Sequence, residues 1–214
     1  MEWDVAALLR GAMDTLAPKR PLFHSEADFQ HALAWEIQLR HPEASIRLEK
    51  RVATHPNIEL DLLVELDGSQ LGVELKYPRR GMSAEVGDEL FILSTGADDH
   101  SRYFAVADVA RLERLVAQKT IDGGALVFLT NVANIWAPPA SGRAVLYDAF
   151  RLHDGHVLAG TLDWGDWGAP GGRPSGASGT ITLKSSYPIV WRDYSIIGDV
   201  QFRYLIVVVD ELAG

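Results

Sequence analysis

The chain contains no cysteine, which excludes disulfides, thiolate metal sites and a cysteine nucleophile, and which suits a reducing cytoplasm. Long apolar runs are missing too: no stretch approaches the roughly 18 residues that a membrane-spanning helix needs. Cations are in deficit, with 20 Lys and Arg against 29 Asp and Glu and a net charge of -9. Nonspecific affinity for nucleic acids comes mainly from cationic neutralisation of phosphates, so this balance excludes a general polyanion binder while leaving room for a local basic groove. There is no P-loop, no dinucleotide-binding glycine fingerprint, no G-x-S-x-G elbow and no H-E-x-x-H helix, and the seven histidines show no zinc spacing. "GAPGGRPSGASG" is glycine-rich but lacks the lysine and following helix that phosphate cradling requires.

What remains is an apolar content of 47% over 214 residues, enough for one sizeable domain or one domain with an extension. The N-terminal stretch places Val5, Leu8, Leu9, Met13 and Leu16 on one helical face. Its acidic start is unlike the basic-then-apolar opening of a signal peptide, so a soluble, cytoplasmic protein with no membrane partner is expected. After "APKRP", Ser25 stands as the N-cap of a second helix, with Asp28 three positions on in a variant of the capping box. Phe29, Leu33 and Ile37 form the buried stripe of that helix, and His41-Pro42 ends it.

Three strand-like runs follow at 44–53, 59–66 and 70–77, the last two joined by "DGS" as an antiparallel hairpin. A less regular stretch with Gly81, Gly87 and Gly96 leads to a helix near 107–120 with a stripe of Val109, Leu112, Leu115 and Val116. "GALVFLTN" (124–131) then reads as a buried strand. From about 137 the composition turns to Gly, Pro, Trp and Ser, with strands read at "HVLAGTLDW", "TITLKSSYPIVW" and "FRYLIVVVDEL" around a glycine-rich connection at 163–179.

Alternation on a strand puts Glu74 and Lys76 on one face and Val73, Leu75 and Tyr77 on the other. Glu59, Asp61, Leu63 and Glu65 share a face of the preceding strand. An aspartate inside "IELDLLVEL" would be costly to desolvate without a cation beside it. One solution is an Asp61–Lys76 salt bridge across the hairpin, with Glu74 at an exposed edge. The other is a hard divalent cation held by Asp61 and Glu74, with Lys76 orienting a water and stabilising charge that develops on a phosphate.

Asp61 followed by Glu74-Leu75-Lys76 resembles the signature of the PD-(D/E)XK nucleases, the restriction-endonuclease-like superfamily, although "IELD" lacks the proline that often precedes the aspartate. The order helix, three strands, helix, strand also resembles that superfamily's core. The likeness covers about residues 23 to 131 and implies an α+β or α/β fold: an N-terminal helix at 1–22, a nuclease-like core at 23–136 and a β-rich C-terminal extension at 137–214 belonging to the same domain. It implies a metal-dependent nuclease that hydrolyses phosphodiester bonds, in DNA rather than RNA. Mg²⁺, replaceable by Mn²⁺, would be held by Asp61, Glu74 and the backbone carbonyl of Leu75, and Lys76 would position or activate the attacking water. Many such enzymes act as dimers, which makes a homodimer one arrangement to test. The alternative is a non-catalytic nucleic-acid or protein-binding module that keeps the fold.

The superfamily often carries a glutamate on its first core helix. With Phe29 at zero on a helical wheel, Leu33 falls at about 40°, Ile37 at about 80°, Glu26 at about 60° and Glu36 at about -20°. Glu26, in the first turn, can project past the core edge toward a site at the strand ends, and Glu36 is its rival. Arg79 and Arg80 after the lysine strand, and Arg47, Lys50 and Arg51 on its neighbour, are candidate phosphate contacts or a solvated rim. His24 stands two residues before Glu26. Arg102 and Tyr103 read as structural, with Asp98, Asp99 or Asp108 as partners. Among the C-terminal aromatics, Tyr187, Trp191 and Tyr194 read as packing residues, whereas Trp164 and Trp167 are candidates for stacking on bases.

Overall fold

The computed structural model describes residues 4–95, 98–139, 147–164 and 179–210. Within them the chain is mixed α+β: a six-stranded sheet, two separate hairpins and four α-helices. Helices α1 (Val5–Leu16) and α2 (Glu26–Arg40) lead into β1 (Ser45–Val52), β2 (His55–Leu66) and β3 (Ser69–Lys76). A hairpin of β4 (Met82–Val86) and β5 (Glu89–Leu93) precedes α3 (Asp98–Ala117) and β6 (Gly123–Thr130). The short α4 (Ala133–Trp136), a 3-10 turn (Asp148–Phe150) and β7 (Val157–Leu162) follow, then β8 (Ile181–Pro188), β9 (Trp191–Ile197) and β10 (Val200–Val209). None of the described helices is long and apolar enough to cross a membrane.

The helix and hairpin signals in the sequence have direct physical counterparts. Ser25 Oγ accepts the Asp28 amide at 3.0 Å, while Asp28 turns its carboxylate to the His24 amide and to Arg20 instead of completing the box on Ser25. The β2–β3 loop is Asp67-Gly68, with φ of 51° and 80°, the pair of left-handed residues that a tight hairpin needs to match strand twist. Two stretches depart from the expected pattern. The irregular segment around Gly87 contains the β4–β5 hairpin, and "TITLKSSYPIVW" does not run as one strand: β8 ends at Pro188 and a separate β9 begins at Trp191. Helix α3 also starts nine residues earlier than its apolar stripe suggests.

The large sheet has the order β1-β2-β3-β6-β10-β9, parallel only where β3 meets β6. Two strands of the C-terminal region thus continue the same sheet as the motif strands. One face packs under α1 and α2, where Leu9, Met13, Phe29, Leu33 and Ile37 meet Leu62, Val73, Leu75 and Val127. The other packs under α3, where Val109, Leu112 and Leu115 meet Leu126, Phe128 and Leu205, and the β7–β8 hairpin closes over the helix. Each such fully buried aliphatic or aromatic side chain contributes about 1.5–3 kcal/mol of transfer free energy.

Close approach of α3 to the sheet depends on Gly124, because a Cβ there would lie 2.9 Å from Leu112 Cβ. On the outer side Glu113, 2% exposed, accepts the amides of Lys184 and Ser185 and the Tyr187 hydroxyl, tying β8 to the helix. Both devices fix where α3 stands over the C-terminal end of β3.

Candidate active site

At the end of β3 the sheet opens. The β2–β3 ladder stops at Leu62–Val73, which leaves the next outward amides of β3 without a strand partner. Asp61 Oδ2 accepts the Leu75 amide at 2.6 Å, and Glu26 Oε2 accepts the Tyr77 amide at 2.6 Å. Two carboxylates, one from β2 and one from the first turn of α2, therefore take the place of the missing ladder.

Asp61 also sits where β2 changes its facing. Ile58 and Leu60 join the core under α3, whereas Leu62, Val64 and Leu66, of the same parity, join the core under α1 and α2. Opposite Asp61, Glu49 adopts φ 49°, a left-handed conformation costing a non-glycine residue about 1 kcal/mol. Gln30 Nε2, from buried Gln30 on α2, donates to both Glu49 Oε1 and the Asp61 carbonyl at 2.7 Å. The distortion aims the carboxylate at the end of β3 and keeps its backbone satisfied.

From β3, Glu74 and Lys76 point toward α3, as alternation requires, while Val73, Leu75 and Tyr77 pack under α1 and α2. Their partners are Asp108 and Arg111, one turn apart on α3. Lys76 Nζ meets Asp108 Oδ2 at 2.6 Å, so the Asp61–Lys76 bridge allowed by the sequence is not the pairing formed. Lys76 Nζ also donates to the Leu75 carbonyl at 2.9 Å. The Arg111 guanidinium grips Glu74 Oε1 through Nη2 at 2.7 Å and Nε at 3.1 Å, and Nη2 lies 2.7 Å from Asp108 Oδ1 as well. Glu74 is 2% exposed and is not the edge residue of the salt-bridge alternative.

Four carboxylates thus face two cations in a largely buried cluster. Burial raises the Asp61 and Glu26 carboxyls above the usual range, against the pull of Lys76 and of the amides they accept. Glu26 is exposed as a residue, yet its carboxyl is turned inward, and its desolvation there outweighs the lowering effect of the Tyr77 amide. Glu74 is pushed up to about 8 by burial and by the neighbouring Asp108, with Arg111 opposing the shift. Desolvation works against the Lys76 ammonium, but Asp108, Glu26 and Asp61 outweigh it and raise its pKa. Arg111 is likewise held charged.

Of the two helix glutamates, Glu26 joins this cluster and Glu36 does not, since Glu36 Oε2 pairs with Lys19 Nζ at 3.0 Å. Leu75 supplies a carbonyl at the centre of the group. Arg79 lies over the Tyr77 ring and donates to the His24 carbonyl at 3.3 Å, and Arg80 is exposed, its backbone clasped by the Asn131 side chain. Arg47, Lys50 and Arg51 are exposed on edge strand β1, with Arg51 paired to Glu59. His24 stacks on Phe91 and bonds Glu89 rather than a carboxylate of the cluster.

Asp108 pairs with Lys76 and Arg111 and not with Arg102, which donates to the Asn134 carbonyl and side chain and lies over Tyr147; the side chains of Asp98 and Asp99 lie outside the described residues. Trp164 is 4% exposed, stacked on Tyr103 and tilted against Phe150, and so packs rather than presenting a face to bases; Trp167 lies outside the described residues. Tyr187, Trp191 and Tyr194 are buried and bonded, as packing residues should be. Among the described residues, no three acidic or histidine side chains stand close enough together, as placed, to hold a metal ion.

No protein-family model, curated protein or solved structure matches this chain.

Proposed function

We propose that the chain is a metal-dependent nuclease built on a restriction-endonuclease-like core and acting on DNA. The observation that carries this reading is the charge balance at the end of β3. Among the described residues, Glu26, Asp61, Glu74 and Asp108 face Lys76 and Arg111, so with all four carboxyls ionised the cluster lacks two positive charges. A divalent cation would supply both.

The donor set fits such an ion in kind: carboxylates from Asp61 and Glu74 and the Leu75 carbonyl are the hard oxygens that Mg²⁺ or Mn²⁺ prefers. Bound there, Mg²⁺ would polarise a phosphate and lower the pKa of its water. Glu26 would contribute as an outer carboxylate, continuing to hold the Tyr77 amide. Lys76, kept protonated by its acidic neighbours, acts as a hydrogen-bond donor and positive charge and not as a base. It orients the attacking water and stabilises the negative charge that builds on the phosphate. Arg79 and Arg80, directly after β3, and Lys50 and Arg51 on β1 would meet the flanking phosphates.

One observation favours a second reading. Arg111 already neutralises Glu74, which suits a non-catalytic module that keeps the fold and needs no metal. Cleavage separates the two. Duplex and single-stranded DNA and RNA oligonucleotides are incubated with wild type, Asp61→Asn and Lys76→Ala in Mg²⁺ or in EDTA. The nuclease reading expects Mg²⁺-dependent cleavage by wild type, reduced at least about 100-fold in each variant, in line with loss of a transition-state charge partner. Cleavage that survives EDTA, or a Lys76→Ala protein that cuts as fast as wild type, would sink the assigned roles.

A further inference from the structure

The guanidinium of Arg111 occupies the one carboxylate that the metal reading most needs. We propose that Arg111 is a displaceable stand-in cation, which holds Glu74 when no divalent ion is present and competes with that ion for it. The inference rests on the metal-dependent reading and goes beyond it, because it assigns to α3 control over how tightly the site takes its metal.

Three features argue for displacement over a permanent pair. First, the grip is on the ligand oxygen itself: Nη2 and Nε both reach Glu74 Oε1, so a metal bound through that oxygen must loosen at least one of them. Second, Arg111 enters from outside. Its side chain is 28% exposed, against 2% for Glu74, so the guanidinium can withdraw without opening the core.

Third, it has somewhere to go. Arg111 lines an open groove of about 510 Å³ between α3 and β8, beside Arg114, Lys184, Gln118 and Thr182. The acidic lining residue, Glu113, is consumed by the Lys184 and Ser185 amides and the Tyr187 hydroxyl. A guanidinium that leaves Glu74 keeps its contact with Asp108 or turns into this groove, where water solvates it.

A ligand whose binding-competent state is populated only a tenth of the time binds about tenfold more weakly than it would to that state alone. Removing the competitor should therefore tighten metal binding, the reverse of what loss of a supporting residue does. The experiment titrates Mn²⁺ into wild type, Arg111→Met and Arg114→Met by calorimetry at one ionic strength, with thermal melts in EDTA and in Mn²⁺. Arg114→Met removes the same charge from the same helix without touching Glu74.

The expected result is a Kd lower by about tenfold or more in Arg111→Met and unchanged in Arg114→Met, with a Tm that falls in EDTA and recovers in Mn²⁺. An Arg111→Met protein that is unfolded in EDTA and folds on adding Mn²⁺ would support the proposal equally. Equal tightening in both variants would reduce the effect to the general field of α3 and overturn it, as would unchanged or weaker binding in Arg111→Met or a melt that Mn²⁺ does not restore. If wild type binds and Arg111→Met gains nothing, the metal site stands and only the stand-in role falls. Should neither bind, both fall together.

Discussion

Lys76 Nζ stands 2.6 Å from Asp108 Oδ2, which joins the lysine of the β3 motif to a helix 32 residues further on. Both groups are largely withdrawn from water, Asp108 to 6% and Lys76 to 19% side-chain exposure. Breaking such a pair from one side leaves a cation with less compensation than its burial requires. Asp108→Asn should lower unfolding free energy by about 2 kcal/mol in urea melts. It should also slow cleavage, because Lys76 then loses the partner that keeps it charged and placed. A variant with unchanged stability and rate would show that the pair does not position the lysine.

The pH dependence of stability follows from Glu74. Its carboxyl titrates near 8 in the folded chain, raised by burial and by Asp108, against an ordinary value of 4.5. Between those values the folded state holds more protons than the unfolded one. The contribution is thus fully present below about pH 4.5 and is lost as pH rises through about 8. Relative to Glu74→Gln, which has no such proton, wild type in EDTA should lose stability from pH 5 to pH 8. Saturating Mn²⁺ should reverse the trend, since the ion favours the ionised carboxylate. A wild-type minus variant difference that stays flat with pH would contradict the shift.

Glu26 and Glu36 should separate cleanly. Glu26→Gln removes a carboxylate from the cluster and weakens the cap on the Tyr77 amide, so a fall in cleavage rate of about 10- to 100-fold is expected. Glu36→Gln breaks only a pair with Lys19, whose side chain is 55% exposed, and should leave the rate within about twofold of wild type while changing stability by about 1 kcal/mol or less. Steady-state cleavage assays on both variants, paired with urea melts, decide which glutamate serves the site.

Gly124 tests whether the seating of α3 matters to the site. The root of Leu112 stands 2.9 Å from where an alanine Cβ would lie, and a side-chain root cannot step aside as a flexible tip can. At Gly72 the equivalent contact is the Ile121 Cδ1 tip, also at 2.9 Å. Gly124→Ala should cost about 2–3 kcal/mol and impair cleavage by lifting Asp108 and Arg111, with Gly72→Ala the milder of the two. The reverse order in urea melts would show that the helix is not held by this contact.

The parts of the site carried by β2 and β3 were legible because they are local. Asp67-Gly68 demands a hairpin, the hairpin fixes register, and parity then puts Glu74 and Lys76 on one face. The helical wheel singled out Glu26 for the same kind of reason. Asp108 and Arg111 escaped because no local rule links a helix to a strand more than 30 residues earlier.

A signal for one of them was present nonetheless. With Leu112 at zero on the wheel, Asp108 falls at about -40°, between Leu112 and Leu115 at about -60°, so it interrupts the stripe of α3 just as Glu26 interrupts that of α2. The missed β4–β5 hairpin also had its mark, since Gly87-Asp88 is a two-residue turn with Gly87 at φ 61°. Its strands escaped notice because Leu90 and Ile92 point outward and blur the alternation. Nothing local announced the change of facing at Asp61, which depends on Gln30 reaching across from α2.

The central claim is that this cluster, two positive charges short once all four carboxyls are ionised, takes a divalent cation through Asp61 and Glu74. The measurement that tests it most directly is calorimetric titration of Mn²⁺ into wild type and Glu74→Gln at pH 7.5, in buffers of different ionisation enthalpy, with folding checked by circular dichroism. The account predicts saturable binding by wild type, release of up to about one proton as the raised Glu74 carboxyl ionises, and loss of both in the folded variant. Equal binding by the two proteins, or none by wild type, would contradict it.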